Sequence, residues 1–350
     1  MPEMVDTFTT GGGPGLCAPF PWFGGKSRVA PVVWERFGDV ANYVEPFFGS
    51  GAVLLGAPAA ADRVETVNDR DGFVANFWRA LQAEPHAVAH WADWPVNEND
   101  QHARHAWLVE QRATLTAQLE GDPEYYDPKI AGWWVWGICC WIGSGWCSGE
   151  GPWVRKEGKL VHLASLGRGA GQGVRRQLVH LGAGRGVHRK GRPNEGLVAW
   201  MQALANRLRY VRVWCGDWAR VCGPAPTVKQ GVTAVFLDPP YSDEADRMAN
   251  LYAVDCGHVA HAVRDWALTH GDDPRLRIAL CGYAGEYDMP DRWRETRWNA
   301  HGGYALVGDG PGRENKRRER IWYSPHCLLP QPSLFGDEIR SDDSDDMCAD

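Results

Sequence analysis

The residues Asp238-Pro239-Pro240-Tyr241 close an apolar run, Val232-Thr233-Ala234-Val235-Phe236-Leu237, and this junction restricts the fold more than any other feature of the chain. A β-branched, apolar run that ends in an acid and two prolines reads as a buried strand stopped abruptly. Proline cannot donate to a sheet ladder, and two in succession hold an extended turn. One carboxylate, one proline carbonyl and one aromatic face are thereby presented at the carboxyl end of a strand. Open α/β sheets bind their ligands there. A flat ring carrying an amino group, such as adenine, matches such a place.

A chain of 350 residues can bury a substantial core in one large or two modest domains. Its net charge of −7 argues against a general nucleic-acid binder, but the average hides a strong asymmetry taken up below. The 10 Cys lack the regular spacing of a secreted scaffold, which points to a reducing cytoplasm. No basic segment leads into an apolar core at the N-terminus, and no run of about 18 apolar residues occurs. A soluble cytoplasmic protein without a membrane partner is expected.

Strand and helix patterns alternate in a doubly wound order. Residues 1–15 are polar and Gly-rich and are expected to be disordered. A short apolar stretch, Val40 to Val44, leads into Glu45-Pro46-Phe47-Phe48-Gly49-Ser50-Gly51, and Ala52-Val53-Leu54-Leu55 begins a helix. Arg63 to Val67 reads as a second strand ended by Asn68-Asp69-Arg70-Asp71, and Phe73, Phe77, Trp78 and Leu81 mark an amphipathic helix. After a Trp-rich and then Gly/Arg-rich stretch come a helix over Glu195 to Leu208 and a strand Val211 to Trp214 closed by Cys215-Gly216-Asp217. Strands at Leu276 to Leu280, near Thr296 and near Ile321 complete the sheet. The boundaries predict a catalytic domain in two halves, 16–84 and 195–330, split by an inserted domain over 85–194, with an acidic disordered tail over 331–350.

Gly49-x-Gly51 alone is a weak signal, but a strand precedes it, a helix follows, and Asp69 lies 20 residues beyond Gly49. That spacing suits an acid that accepts ribose hydroxyls. Glycines let the backbone approach a ligand closely. No phosphate-binding Gly-x-Gly-x-x-Gly stands at this turn, and Glu45 beside it would repel phosphate and attract a cationic ligand such as a sulfonium. Upstream, Pro21-Trp22-Phe23-Gly24-Gly25-Lys26 joins an aromatic pair to a Gly-Gly turn and a cation able to bind a carboxylate.

Trp-Phe-Gly-Gly-Lys, Glu-Pro-Phe-x-Gly-x-Gly and Asp-Pro-Pro-Tyr stand in the order found in the Dam-like (D12 class) DNA adenine-N6 methyltransferases, which this chain resembles over roughly residues 19–82 and 195–326. The resemblance implies a Rossmann-like class I methyltransferase sheet with an inserted, mainly helical and loop target-recognition domain. It also implies S-adenosyl-L-methionine as cofactor, double-stranded DNA as partner, and no metal. By that similarity Lys26, Phe47, Asp69 and Asp238 line the cofactor site, to which the reading of the turns themselves adds Trp22, Glu45, Gly49 and Gly51, and Asp217 sits where related enzymes often contact the cofactor's adenine. Asp238, Pro239, Pro240 and Tyr241 form the catalytic turn. Asp238 and the Pro239 carbonyl each accept one N–H of the target amine, while Tyr241 stacks on a base extruded from the duplex. The leading acid resembles the adenine enzymes rather than those acting on cytosine N4. Cytosine N4, an RNA base, or a catalytically silent DNA-binding relative remain the alternatives.

Six Trp lie between Trp133 and Trp153. Trp133, Trp134 and Trp136 fit a buried helix face, whereas Trp146, among Gly and Ser, fits a loop ring able to wedge into or stack on bases. Cys139, Cys140 and Cys147 lack metal-site spacing and read as core or loop thiols. From Arg155 to Arg192 there are ten Lys/Arg, one Glu and nine Gly. This basic stretch, including Arg155, Lys156, Arg168, Arg175, Arg176, Arg189 and Lys190, suits phosphate contacts with a strong salt dependence. Members that read GATC carry an aromatic-Asn-Gly-x-x-Arg segment here. The closest segment, Gly143 to Ser148, lacks both the first aromatic and the Arg, so that specificity is not carried over. A monomer of bacterial or phage origin is expected, with a cognate restriction endonuclease an open question.

Overall fold

The computed structural model describes residues 16–22, 25–60, 62–141, 146–147, 153–156, 159–162, 195–240, 259–298 and 318–330. Seven strands form the main sheet: β1 (Asn42–Glu45), β2 (Val64–Asp69), β5 (Arg212–Cys215), β6 (Thr233–Leu237), β7 (Leu276–Tyr283), β8 (Arg294–Arg297) and β9 (Glu319–Tyr323). They lie in the order β5-β2-β1-β6-β7-β9-β8. All run parallel except β9, which is antiparallel to both of its neighbours. The chain builds outward from β1 to β5 on one side and then returns to place β6 on the other. The strand order thus reverses at β1 and β6, where the carboxyl ends of neighbouring strands diverge and leave a crevice.

Helices cover both faces, which is why the central strands β1 and β6 are buried at every position, while the edge strands β5 and β8 are largely exposed. Side chains alternate between two cores. Ala234 and Phe236 of β6, with Ala279 and Cys281 of β7, join one cluster, whereas Val235, Leu237, Ile278 and Leu280 join the other. The second cluster is closed by Ala260, Val263 and Ala267 of α8 (Val259–His270).

The first cluster is larger. It takes in α1 (Ala30–Phe37), α2 (Ala52–Leu55), α3 (Gly72–Ala83) and α7 (Glu195–Leu208) together with α4 (Pro85–Ala92), α5 (Glu98–Gly121) and α6 (Pro128–Cys140). Local chemistry starts several of these helices. Asp71, Asn97 and Asp127 each accept a backbone N–H of the first turn, and Pro128 stands at the start of α6. A separate antiparallel hairpin joins β3 (Trp153–Lys156) to β4 (Lys159–His162).

Trp134 and Trp136 are fully buried on α6, and Trp133 packs partly buried against the same core, as a helix face would. Trp146 departs from the expected loop ring: it is only 7% exposed. Its indole N–H donates to the Trp134 carbonyl at 3.1 Å, and its ring lies 5.1 Å from Trp141 and 5.2 Å from His105. The ring sits directly on Gly137, whose missing side chain leaves the slot it fills. Cys139, Cys140 and Cys147 are buried and not disulfide-bonded. Cys17 is disulfide-bonded.

Candidate active site

The strand ends at the reversal point build a cleft of about 960 Å³, counted with its open mouth. Its wall contains Trp22, Lys26, Glu45, Phe47, Gly49, Asp69, Asp217 and Asp238, with Pro240 beside them. Most of the expected cofactor residues therefore come together in one concavity, although they span four separate strand ends and the segment before α1. Gly51 stands just behind the wall as the left-handed residue that opens α2.

The loop after β1 owes its shape to two glycines with positive φ, Gly49 at 48° and Gly51 at 71°. A side chain on Gly49 would strike the indole of Trp22, so the aromatic of the first segment and the turn of the second are shaped to each other. The Gly49 N–H donates to Asp69 Oδ2 at 2.9 Å, and Asp71 N–H donates to Asp69 Oδ1 at the same distance. Burial raises the Asp69 pKa to about 7, Asp71 adds to the effect, and the two N–H donors oppose it. Asp69 is only half-buried, so solvent in the cleft tempers that shift.

Asn68 has a role the sequence did not announce. Its amide donates to the carbonyls of Pro46 at 3.0 Å and Gly216 at 3.1 Å. One buried side chain thus ties the loops after β1, β2 and β5 into a single rim. An Asn directly before a strand-ending acid was the available signal.

Glu45, 2% exposed, ends β1 and accepts the Tyr43 hydroxyl at 2.7 Å. Burial pushes its pKa well up, the Tyr43 hydrogen bond opposes this, and the nearby Asp238 and Asp69 charges add to it. A cation in the cleft would relieve that cost. Phe47 faces Trp218 with ring centroids 6.3 Å apart and planes within 30° of each other, an aromatic slot at the β1 and β5 ends. Trp218 lies directly after Asp217, and nothing in the sequence separated it from the other tryptophans. Asp217 uses Oδ1 to accept the Ala219 N–H and so caps the turn over Trp218–Val221, while remaining on the cleft wall.

Lys26 is placed differently from a free carboxylate-binding lysine. It is 5% exposed, and its ammonium lies 2.9 Å from Asp238 Oδ2 and 3.9 Å from Glu319 Oε2. Burial alone would lower its pKa, but Asp238 and Glu319 outweigh this and hold it well above its ordinary value. The Lys26 carbonyl accepts the N–H groups of Val29 and Ala30, so the start of α1 fixes the base of this side chain. Asp238 keeps 20% of its side chain exposed toward the cleft. Pro239 and Pro240 follow it, as the turn chemistry required, and Tyr241 lies outside the described residues.

Of the expected DNA-contacting residues, Arg155 and Lys156 fall on β3, which is described by its backbone. Arg168, Arg175, Arg176, Arg189 and Lys190 lie outside the described residues. Trp146, in the core, is not placed to meet a base. Among the described residues no group of three or more His, Cys, Asp or Glu is arranged to hold a metal ion, and no helix is long and apolar enough to cross a membrane.

Residues 22–124 match the family model described as D12 class N6 adenine-specific DNA methyltransferase. The matched stretch contains Trp22, Lys26, Glu45, Phe47, Gly49, Gly51 and Asp69, while Asp238 lies beyond it. No curated protein matches the chain. The match supports a DNA adenine methyltransferase domain, and the mostly parallel seven-stranded sheet is compatible with a methyltransferase fold.

Proposed function

We propose that this chain transfers the methyl group of S-adenosyl-L-methionine to N6 of an adenine in double-stranded DNA. The observation that carries the reading is that Asp238, oriented by Lys26, opens onto the same cleft as Glu45, Asp69 and the Phe47–Trp218 pair. The residues present fit the cofactor. The aromatic pair offers two faces to its adenine, Asp69 offers acceptors to its ribose, and the buried Glu45 favours a nearby positive charge. When bound, S-adenosyl-L-methionine supplies a methyl group already activated on a sulfonium.

The chain's own part is to present the amine. The N6 lone pair of adenine is delocalised into the ring, which makes it a poor nucleophile. Asp238 and the Pro239 carbonyl accept its two N–H bonds, so the nitrogen can pyramidalise and recover lone-pair density. The Asp238 charge stabilises the positive charge that develops on nitrogen, and holding the amine in line with the methyl supplies most of the remaining gain. The methylated nitrogen then gives up one proton to solvent, leaving neutral N6-methyladenine. The target base must leave the duplex to reach the cleft, and Tyr241 stacks on it there. The segment over 85–194 acts as the target-recognition region. Its basic residues Arg155, Lys156, Arg168, Arg175, Arg176, Arg189 and Lys190 anchor phosphates without reading sequence. The protein acts as a cytoplasmic monomer at specific sites, and GATC specificity is not carried over to it.

The reading is tested by incubating the protein with the methyl donor and duplex DNA of all four bases, then digesting the DNA to nucleosides for mass detection. N6-methyladenine is the expected product. N4-methylcytosine alone, or methylation confined to RNA offered in parallel, would sink it.

A further inference from the structure

The antiparallel strand β9 brings a residue to the active edge that no motif marks. In a parallel sheet the first residue of a strand lies at the edge away from the ligand crevice. Because β9 runs against β7, its first residue, Glu319, is paired with Tyr283 at the carboxyl end of β7, on the edge that carries Asp238. Both Glu319 and Lys26 are 5% exposed, and the Lys26 ammonium stands between Asp238 Oδ2 at 2.9 Å and Glu319 Oε2 at 3.9 Å. The Trp298 ring covers the ammonium at 5.4 Å. Among the described residues this one ammonium therefore stands within reach of two buried or half-buried carboxylates.

A lysine paired with Asp238 alone would neutralise the carboxylate that has to accept the target amine. A second carboxylate on the same ammonium divides its field. We propose that Glu319 is a positioning residue for methyl transfer: by holding Lys26 from the far side, it orients the ammonium and leaves the Asp238 carboxylate a stronger acceptor for the amine. The inference rests on the adenine-methylating reading of the cleft. Among the described residues the groups that face Asp238 include Lys26 from the segment before α1, the Cys281 thiol of β7, which hydrogen-bonds to it, Glu45 of β1, Tyr287, and Glu319 of β9 through Lys26. Cys281 is buried with its pKa pushed well up, so the thiol stays neutral. Among these groups Glu319 is, besides Asp238 itself, the carboxylate in contact with the cation.

The test compares wild type, Glu319→Gln and Glu319→Asp in two measurements. The first is the single-turnover rate of methyl transfer to adenine-containing duplex against pH, with S-adenosylhomocysteine affinity measured alongside. Glu319→Gln should lose about tenfold in rate across the pH profile, because the ammonium is no longer held from its far side. Affinity for S-adenosylhomocysteine should stay within about twofold, and Glu319→Asp should recover most of the rate. The second measurement needs no substrate: at one fixed neutral pH the 13Cγ resonance of Asp238, assigned by its loss in Asp238→Asn, should change position in Glu319→Gln, because the ammonium paired with it is no longer held from the far side. An unmoved resonance, with rate and profile unchanged or lost only in step with cofactor affinity and melting temperature, overturns the proposal. If wild type puts no methyl on adenine, the reading of the cleft fails, while the resonance still decides whether Glu319 shares the lysine.

Discussion

Replacing Asp238 by Asn keeps the shape of the side chain and removes its charge, so it isolates what the carboxylate does. The structure fixes two expected costs. The first is to stability. Removing one partner of a buried ion pair costs about 3–5 kcal/mol when the other charge is stranded. Here Glu319 remains 3.9 Å from the ammonium, and the lost carboxylate was already 20% exposed. Those two facts reduce the expected cost to about 1–2 kcal/mol, small enough to leave the protein folded. The second cost is to chemistry. A charged acceptor aimed at the developing positive nitrogen becomes a neutral one, and removing such a group typically costs about 10²- to 10³-fold in rate. Rapid-quench transfer of a labelled methyl group under single-turnover conditions measures the rate. Fluorescence anisotropy on the same duplex and a urea unfolding curve measure the two controls. The expected pattern is a rate lower by two to three orders of magnitude, duplex affinity nearly intact, and a modest loss of stability. A variant that keeps more than about a third of the wild-type rate would refute the role, because no acceptor of the amine could be so dispensable.

Three further outcomes follow from the cleft and the arm. The Asp69 pKa is raised to about 7, first by burial and then by Asp71, so the fold favours its neutral form. Its contribution to stability is therefore complete below the ordinary carboxylate pKa and is lost as pH rises through about 7, whereas affinity for S-adenosylhomocysteine, which lacks the sulfonium charge, should tighten over the same rise as a full carboxylate meets the ribose; calorimetric titration that finds a flat affinity counts against Asp69 as the ribose acceptor. Trp218→Ala opens one side of the aromatic slot and should weaken S-adenosylhomocysteine by about 1–2 kcal/mol, roughly tenfold, with duplex affinity unchanged; equilibrium dialysis decides it. Neutralising Arg175, Arg176, Arg189 and Lys190 together should weaken binding to every duplex alike and flatten its salt dependence, and a loss confined to one sequence would make the stretch a reader.

Much of the catalytic sheet was legible locally. The second strand, expected over Arg63 to Val67, is β2 at Val64–Asp69, and the helix expected over Glu195 to Leu208 is α7 with those limits. Strand ends were readable because acids, glycines and prolines stop a ladder through their own backbone chemistry, whatever surrounds them. The longest helix, α5, was missed. Its buried face carries Gln101, His102, Arg104 and His105 beside Leu108, Leu115 and Leu119, so no clean apolar stripe marks it. Arg104 is tolerated there because it lies over the rings of Trp94, Trp133 and Trp136, a match that exists only once α4, α5 and α6 are packed. Trp146 was misread for a related reason: Gly and Ser around it suggest a loop tip, and only the bare surface of Gly137 shows where the ring goes.

What the sequence determined by itself was a set of strand terminations and the side chains each one presents: Glu45 and the Gly49–Gly51 turn, Asp69, Asp217, and Asp238 with its two prolines. These depend on neighbours a few residues away. Tertiary structure decided how those ends serve one another. It seated Trp22 against Gly49, used Asn68 to join three loops, and placed Trp218 opposite Phe47. It also assigned Lys26 to Asp238 and brought Glu319 to the same ammonium through the reversed direction of β9. A buried charge takes whichever partner the packed fold sets within reach, and that reach is a property of strand order and direction that no local pattern of residues encodes.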